Sequence, residues 1–208
     1  MRLILASTSP RRREIFALLG IPFEVIEPTF EERVSAELSI RDEVLAFALG
    51  KAQSVALDHP DAIIIGSDTM IALDGEKFGK PSDTNDARRM LRALSGKTHR
   101  IFTAVAIVDR AGGPGLGIVE RVDVDMRHLS DADIDNYLAC DESLDKAGAY
   151  SIQGQGAELI AAIRGDYLAA VGMPLKPIAD YLIGRGLSFT LNLGQLYRDK
   201  SFLNWRRF

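Results

Sequence analysis

The chain has 208 residues, 47% hydrophobic and 26% charged. These are the proportions of a globular fold with one sizeable core or two lobes on a shared sheet, too short for several independent domains. A net charge of −4 excludes a nucleic-acid binder driven by an overall basic surface, and no apolar run reaches the length of a membrane span, so neither nucleic acid nor a membrane is an expected partner. The single cysteine, Cys140, excludes an intramolecular disulfide and a cysteine-based metal cluster, fits a reducing cytoplasm, and is expected to be a small buried or half-buried residue.

Leu3-Ile4-Leu5-Ala6 is a strand-like apolar run that breaks at Ser7-Thr8-Ser9-Pro10 into the basic helix start Arg11-Arg12-Arg13. Ser9 is the expected N-cap and Pro10 the first helical residue. A helix N-terminus carries partial positive charge and arginine pairs bidentately with phosphate oxygens, so this turn reads as a polyphosphate cradle, with a solvated basic helix start as the alternative. A second strand is expected over 23–26, a helix over 40–57 and a buried strand over 62–66. Asp68 and Thr69 are placed at the C-terminal end of that strand, ahead of an extended stretch that reaches the Asp74-Gly75 turn. A helix over 84–94 capped by Asp83 or Thr84 precedes a hairpin whose strands run over 100–109 and 116–127, turned by Ala111-Gly112-Gly113-Pro114-Gly115. A helix over 130–139 capped by Ser130, a strand over 160–163 and a helix over 174–185 stopped by Gly186 complete the series. Strands and helices alternate around one hairpin, which predicts an α/β fold on a mixed sheet. The segment 189–208 departs from this grammar and carries the only tryptophan, Trp205. It is open to three readings: a packed extension, a reach toward a neighbouring subunit of a homodimer, or a loosely ordered end.

Chargeable groups recur beside glycines and turns. Asp68 could hold a divalent metal or take a proton from water, against the alternative of a turn-capping aspartate. Gly79-Lys80-Pro81 aims a compact charge suited to phosphate. Ser95-Gly96-Lys97-Thr98-His99 imitates the end of a P-loop, but no glycine stands at the position where the first one is needed, which excludes a Walker site. His99 has no second histidine at metal spacing and reads as a packed histidine. Lys146-Ala147-Gly148-Ala149-Tyr150-Ser151-Ile152-Gln153-Gly154 combines unusual backbone freedom with groups that stack on or hydrogen-bond to a base.

Taken in order, Leu5-Ala6-Ser7-Thr8-Ser9-Pro10-Arg11-Arg12, Ser67-Asp68-Thr69, Gly79-Lys80-Pro81, Ser95-Gly96-Lys97-Thr98-His99, the Lys146 to Gly154 run and Val171-Gly172-Met173-Pro174 resemble the Maf family. The resemblance covers about 1–187. It implies a cytoplasmic, house-cleaning nucleoside triphosphate pyrophosphatase that needs a divalent cation (Mg²⁺, Mn²⁺ or Co²⁺). The implied fold is an elongated mixed sheet with flanking helices and two lobes around a central cleft, as in the inosine triphosphate pyrophosphatases, which gives a family domain over 1–188 and an extension over 189–208. The older family name, septum formation inhibitor, points to cell division.

Carried over by position, the resemblance implies Asp68 as the catalytic acid, with Ser7, Arg12, Lys51 and Lys80 handling phosphates. It implies Arg11, Thr69 and Gln153 as specificity residues; Lys146 is expected to join them in binding substrate, and Asp68 with Glu32 (or Glu31) is the expected set of metal ligands. Thr69 and Gln153 resemble the branch acting on dTTP and UTP, while Gly79 is nearer the 7-methyl-GTP branch. Two departures from the family pattern, Ala104 for glycine and Ala169-Ala170 without asparagine, bear on pocket shape. The alternatives are a 7-methyl-GTP or other modified-nucleotide pyrophosphatase, and a nucleotide-binding regulator of division without turnover.

Overall fold

A computed structural model describes residues 1–109 and 115–208. Its framework is a seven-stranded mixed sheet in the order β2-β1-β3-β5-β6-β7, with β4 paired to β3. The strands are β1 (Arg2–Ala6), β2 (Glu24–Ile26), β3 (Ala62–Leu73), β4 (Glu76–Phe78), β5 (Thr98–Asp109), β6 (Leu116–Met126) and β7 (Ile160–Arg164). β1 runs parallel to β2 and β3, and the pairs from β3 through β7 are antiparallel.

The helices are α1 (Pro10–Ala17), α2 (Ile40–Ala56), α3 (Thr84–Leu94), α4 (Asp131–Leu138), α5 (Tyr167–Val171), α6 (Leu175–Gly184) and α7 (Leu193–Asp199). Strand alternation sorts the core. Ile4, Ala6 and Ile64 point to the face covered by α2, where Ala52, Val55 and Ala56 meet them. Leu3, Leu5, Ile63, Ile65 and Ile71 point to the opposite face and join the larger core with α1, α3, α4, α5 and α6. No helix of the described residues is long and apolar enough to cross a membrane.

Most elements form where the sequence placed them, and the exceptions are instructive. The 62–66 strand and the extended stretch after it are one continuous strand, so Asp68 and Thr69 lie in its middle rather than at its end. Pairing with β5 from Ile63 to Ala72 carries the strand through. Ser9 has N-cap geometry, with Pro10 behind it, but its side chain makes no capping bond. Cys140 is exposed rather than buried, because it lies just past the end of α4 on the solvent side. β4, α5 and α7 are additions, each too short for a periodic signal. The expected turn at 111–115 lies largely outside the described residues. Segment 189–208 is packed: Trp205 is buried and stacks on Tyr167 with ring centroids 5.3 Å apart.

His99 is fully buried beneath the 147–153 region, where its Nε2 meets the Tyr150 hydroxyl at 2.7 Å. Burial pushes its pKa down from 6.5 to about 4. Between these values the unfolded chain holds the proton and the folded chain excludes it. The stability present above pH 6.5 is therefore lost as pH falls toward 4, by up to about 3 kcal/mol. Urea titrations should show His99→Gln flattening this slope relative to the parent; identical slopes would contradict the assignment.

Candidate active site

β1 leaves its strand at Ala6 and sends the chain through α1 to β2 on one side, whereas β3 lies on the other. Sites in open α/β sheets form at such a reversal of strand order. Ala6 is level with Gly66, and β4 pairing begins at Ile71. Among the described residues, 67–70 of β3 therefore have β5 on one side and no strand on the other. The end of β1, not of β3, opens Asp68 to a cleft.

Alternation along β3 sends Asp68 to the α2 face and Ser67 and Thr69 to the other. Gly66 is the seat for α2: a Cβ there would run into the Ala48 carbonyl oxygen and come within 2.9 Å of the Ala52 nitrogen. That close approach brings Lys51, one residue before Ala52, onto Asp68. Lys51 Nζ lies 2.5 Å from Asp68 Oδ1 and 2.5 Å from Glu32 Oε1, the latter on the loop after β2. Arg12, from the first turn of α1, approaches Asp68 Oδ1 at 4.0 Å. Two cations and two carboxylates thus share one corner.

Asp68 is buried, and burial raises its pKa above the ordinary carboxylate value although Lys51 and Arg12 pull it down. Burial also lowers the pKa of the Arg12 guanidinium, against the pull of Asp68. Arg12 is held by neighbours as well as by charge. Its Nε donates to the Gly172 carbonyl at 3.0 Å and its Nη2 donates to Thr69 Oγ1 at 3.3 Å. Thr103 donates its only hydroxyl hydrogen to the Ala169 carbonyl at 2.8 Å, so at their 3.0 Å contact Thr69 is the donor and Thr103 the acceptor. Ser67 shares its one hydroxyl hydrogen between the Ala104 carbonyl at 2.8 Å and the Gly172 carbonyl at 3.0 Å. The α5–Gly172 turn is thereby fastened to β3 directly beside the acid.

The cleft encloses about 660 Å³, within the usual range for a small-molecule site. Ser7, Arg11, Arg12, Glu32, Lys51, Asp68, Thr69, Lys80, Lys146 and Gln153 all line it. Glu31 does not; it pairs with exposed Arg33 at 2.8 Å. Ser7 is buried and its Oγ accepts the Ser9 backbone N–H at 3.2 Å, which shapes the turn ahead of α1. The Gly148 N–H donates to the Gly79 carbonyl at 3.0 Å, which ties the Lys80 turn to the 146–153 segment as one wall. Lys146 Nζ donates to the Glu142 carbonyl and to Asp145, so it braces that wall. Gln153 Nε2 is buried and has no hydrogen-bond partner among the described residues. A second cavity, of about 270 Å³ around His128 and Tyr137, gathers none of these residues.

The model of the family described as Maf-like protein matches residues 2–184. The chain belongs to the Maf family. A relative from Moorella thermoacetica, named dTTP/UTP pyrophosphatase, is 45% identical over 181 residues, covering 87% of this chain and 93% of that protein. One from Bacillus cytotoxicus with the same name is 44% identical over 174 residues, covering 84% and 90%. Among solved structures, the Staphylococcus aureus Ham1 protein aligns with a TM-score of 0.46 at 16% identity, over 77% of this chain and 80% of that one.

Several groups around the site escape sequence reasoning. The Gly172 carbonyl holds Arg12 directly and Thr103 holds Thr69, which in turn accepts from Arg12; only the β3–β5 register, which sets Thr69 opposite Thr103, reveals the role of Thr103. Phe30 and Phe47 form an apolar wall of the cleft, with rings 5.9 Å apart. Phe30 comes from a loop without periodicity, so nothing local marks it.

Proposed function

We propose that this cleft hydrolyses the α–β phosphoanhydride of dTTP and UTP, giving the nucleoside monophosphate and pyrophosphate. The observation that carries the reading is a buried acid, Asp68, held between Lys51 and Arg12 in a cleft that Gln153 also lines, the buried amide nitrogen of Gln153 having no hydrogen-bond partner among the described residues. The names of the relatives support the same activity, and the cytoplasm, where nucleotides are made, is its proposed place.

A water attacks the α-phosphorus. Its oxygen forms the new P–O bond, its proton passes to an Asp68 carboxylate oxygen, and the bond from the α-phosphorus to the bridging oxygen breaks as pyrophosphate leaves. Burial raises the proton affinity of Asp68, which makes it a stronger base than an exposed carboxylate. Arg12, Lys51 and Lys80 offset the charge that grows on the bridging and pyrophosphate oxygens. Because Ser9 leaves the first turn of α1 without a side-chain cap, its N–H groups remain suited to a phosphate beside Ser7 and Arg11.

Asp68 and Glu32 are the residues that would hold a divalent cation. Their carboxylates already converge on a single ammonium, that of Lys51. Among the described residues no group of three His, Cys, Asp or Glu is placed to hold a metal. Two carboxylates fit a hard ion that completes its shell with water and substrate phosphate. When bound, Mg²⁺, Mn²⁺ or Co²⁺ would neutralise phosphate charge and acidify water beside it.

Gln153 offers one donor and one acceptor, the complement of the carbonyl and ring N–H that thymine and uracil present. With divalent ion present, a panel of nucleoside triphosphates should show dTTP and UTP turned over well ahead of ATP, GTP and 7-methyl-GTP. A lead for 7-methyl-GTP would overturn the base assignment, and silence across the panel would overturn the activity.

A further inference from the structure

We infer that Asn204, on the 189–208 segment outside the matched family region, is a positioning residue for base selection: it holds the 151–156 loop so that Gln153 is kept on the lining of the cleft. The inference rests on the reading of Gln153 as the group that meets the base. Asn204 Nδ2 donates to the Gln153 carbonyl at 2.7 Å, with the Ile152 and Gly154 carbonyls at 3.3 and 3.4 Å. One side-chain amide therefore gathers three successive carbonyls, and the shortest bond is to the residue whose side chain lines the cleft.

The loop is tied elsewhere by the Ser151 N–H to the Tyr137 hydroxyl at 2.9 Å, the Gly154 N–H to Ser151 Oγ at 3.2 Å, the Gln155 N–H to Glu142 Oε2 at 2.9 Å and the Ala157 N–H to the Gly154 carbonyl at 3.2 Å, and Asn204 is the side chain that reaches the Gln153 carbonyl itself. At Gly154 a Cβ would run into the Glu142 carboxylate, so the backbone is pressed between Glu142 on one side and Asn204 on the other.

Asn204 is itself held rigidly. Its backbone is left-handed at φ 62°, a conformation asparagine tolerates and most residues avoid. On one side the Leu203 carbonyl accepts from the Tyr167 hydroxyl at 2.6 Å. On the other, Trp205 stacks on Tyr167 and meets Tyr197 edge-on at 5.0 Å. A donor fixed at both flanks can set the loop's geometry instead of following it. Misplacing a substrate-orienting group by about 1 Å is enough to cost large factors in rate or affinity.

Asn204→Asp keeps the side chain's shape and removes its donors, while Asn204→Gly keeps the left-handed backbone and removes the amide. In the full chain both should raise KM for dTTP about tenfold with kcat within about twofold, and lower the preference for dTTP over ATP by a similar factor. Hydrogen–deuterium exchange should quicken across 151–156 and stay unchanged across β3. Unchanged exchange in that loop, or quickened exchange with an unchanged KM and preference, would overturn the inference. Gln153→Ala separates the two claims: if it abolishes the base preference while the Asn204 variants do not, the reading of Gln153 stands and the role of Asn204 fails. If Gln153→Ala leaves the preference intact, base reading by Gln153 fails, and Asn204 as a determinant of selection fails with it.

Discussion

Asp68→Asn is expected to lower the turnover of dTTP by about three orders of magnitude while leaving the fold and nucleotide binding in place. The amide can still accept from Lys51, whose Nζ lies 2.5 Å from Oδ1, so the buried ammonium is not orphaned and Glu32 continues to pair with it. What the substitution removes is the ability to take a proton and a full negative charge. It also removes a carboxylate from a corner that must admit phosphates, so dTTP should bind the variant about as tightly as the parent. Single-turnover kinetics together with equilibrium binding would separate these effects. Loss of binding in step with activity would show that Asp68 serves to build the cleft and not to perform chemistry there.

Lys51→Met is expected to be nearly as damaging, for a different reason. Methionine fills the aliphatic part of the site, but Asp68 then keeps only Arg12, at 4.0 Å, and Glu32 loses its partner. Breaking a buried pair in this way costs about 3–5 kcal/mol. Lys51 is the main influence holding the Asp68 pKa down against burial, so its removal sends that pKa further up. A folded-state pKa above the unfolded one means that the native protein binds the extra proton, so stability falls as pH rises through the window between them. The variant should therefore be weak at neutral pH and regain stability on mild acidification, and the acid limb of its pH–rate profile should move to higher pH. Stability that is independent of pH across the same range would contradict the coupling.

These two residues also show how far the sequence could be read. Asp68 is legible as an acid following an apolar strand, but not for the reason that matters. It faces the cleft because β1 ends two residues short of it, at Ala6 opposite Gly66, and register between distant strands leaves no local mark. Lys51 sits on a helix whose periodicity says nothing about a buried ammonium. Its place depends on Gly66, fifteen residues later, allowing α2 to lie against β3. Family resemblance supplied what periodicity could not. The helices and strands of the framework followed from alternation, caps and glycine stops, as with Ser130, which forms a full capping box with Asp133. Asn204 had neither kind of signal, since its role comes from a contact spanning about fifty residues outside the region that the resemblance covers.

The measurement that bears most directly on the account is hydrolysis of dTTP in isotopically labelled water with a divalent cation, followed by phosphorus NMR. The account predicts dTMP and pyrophosphate, with the labelled oxygen on the monophosphate. Formation of dTDP and orthophosphate, or label in the pyrophosphate, would contradict attack at the α-phosphorus beside Asp68.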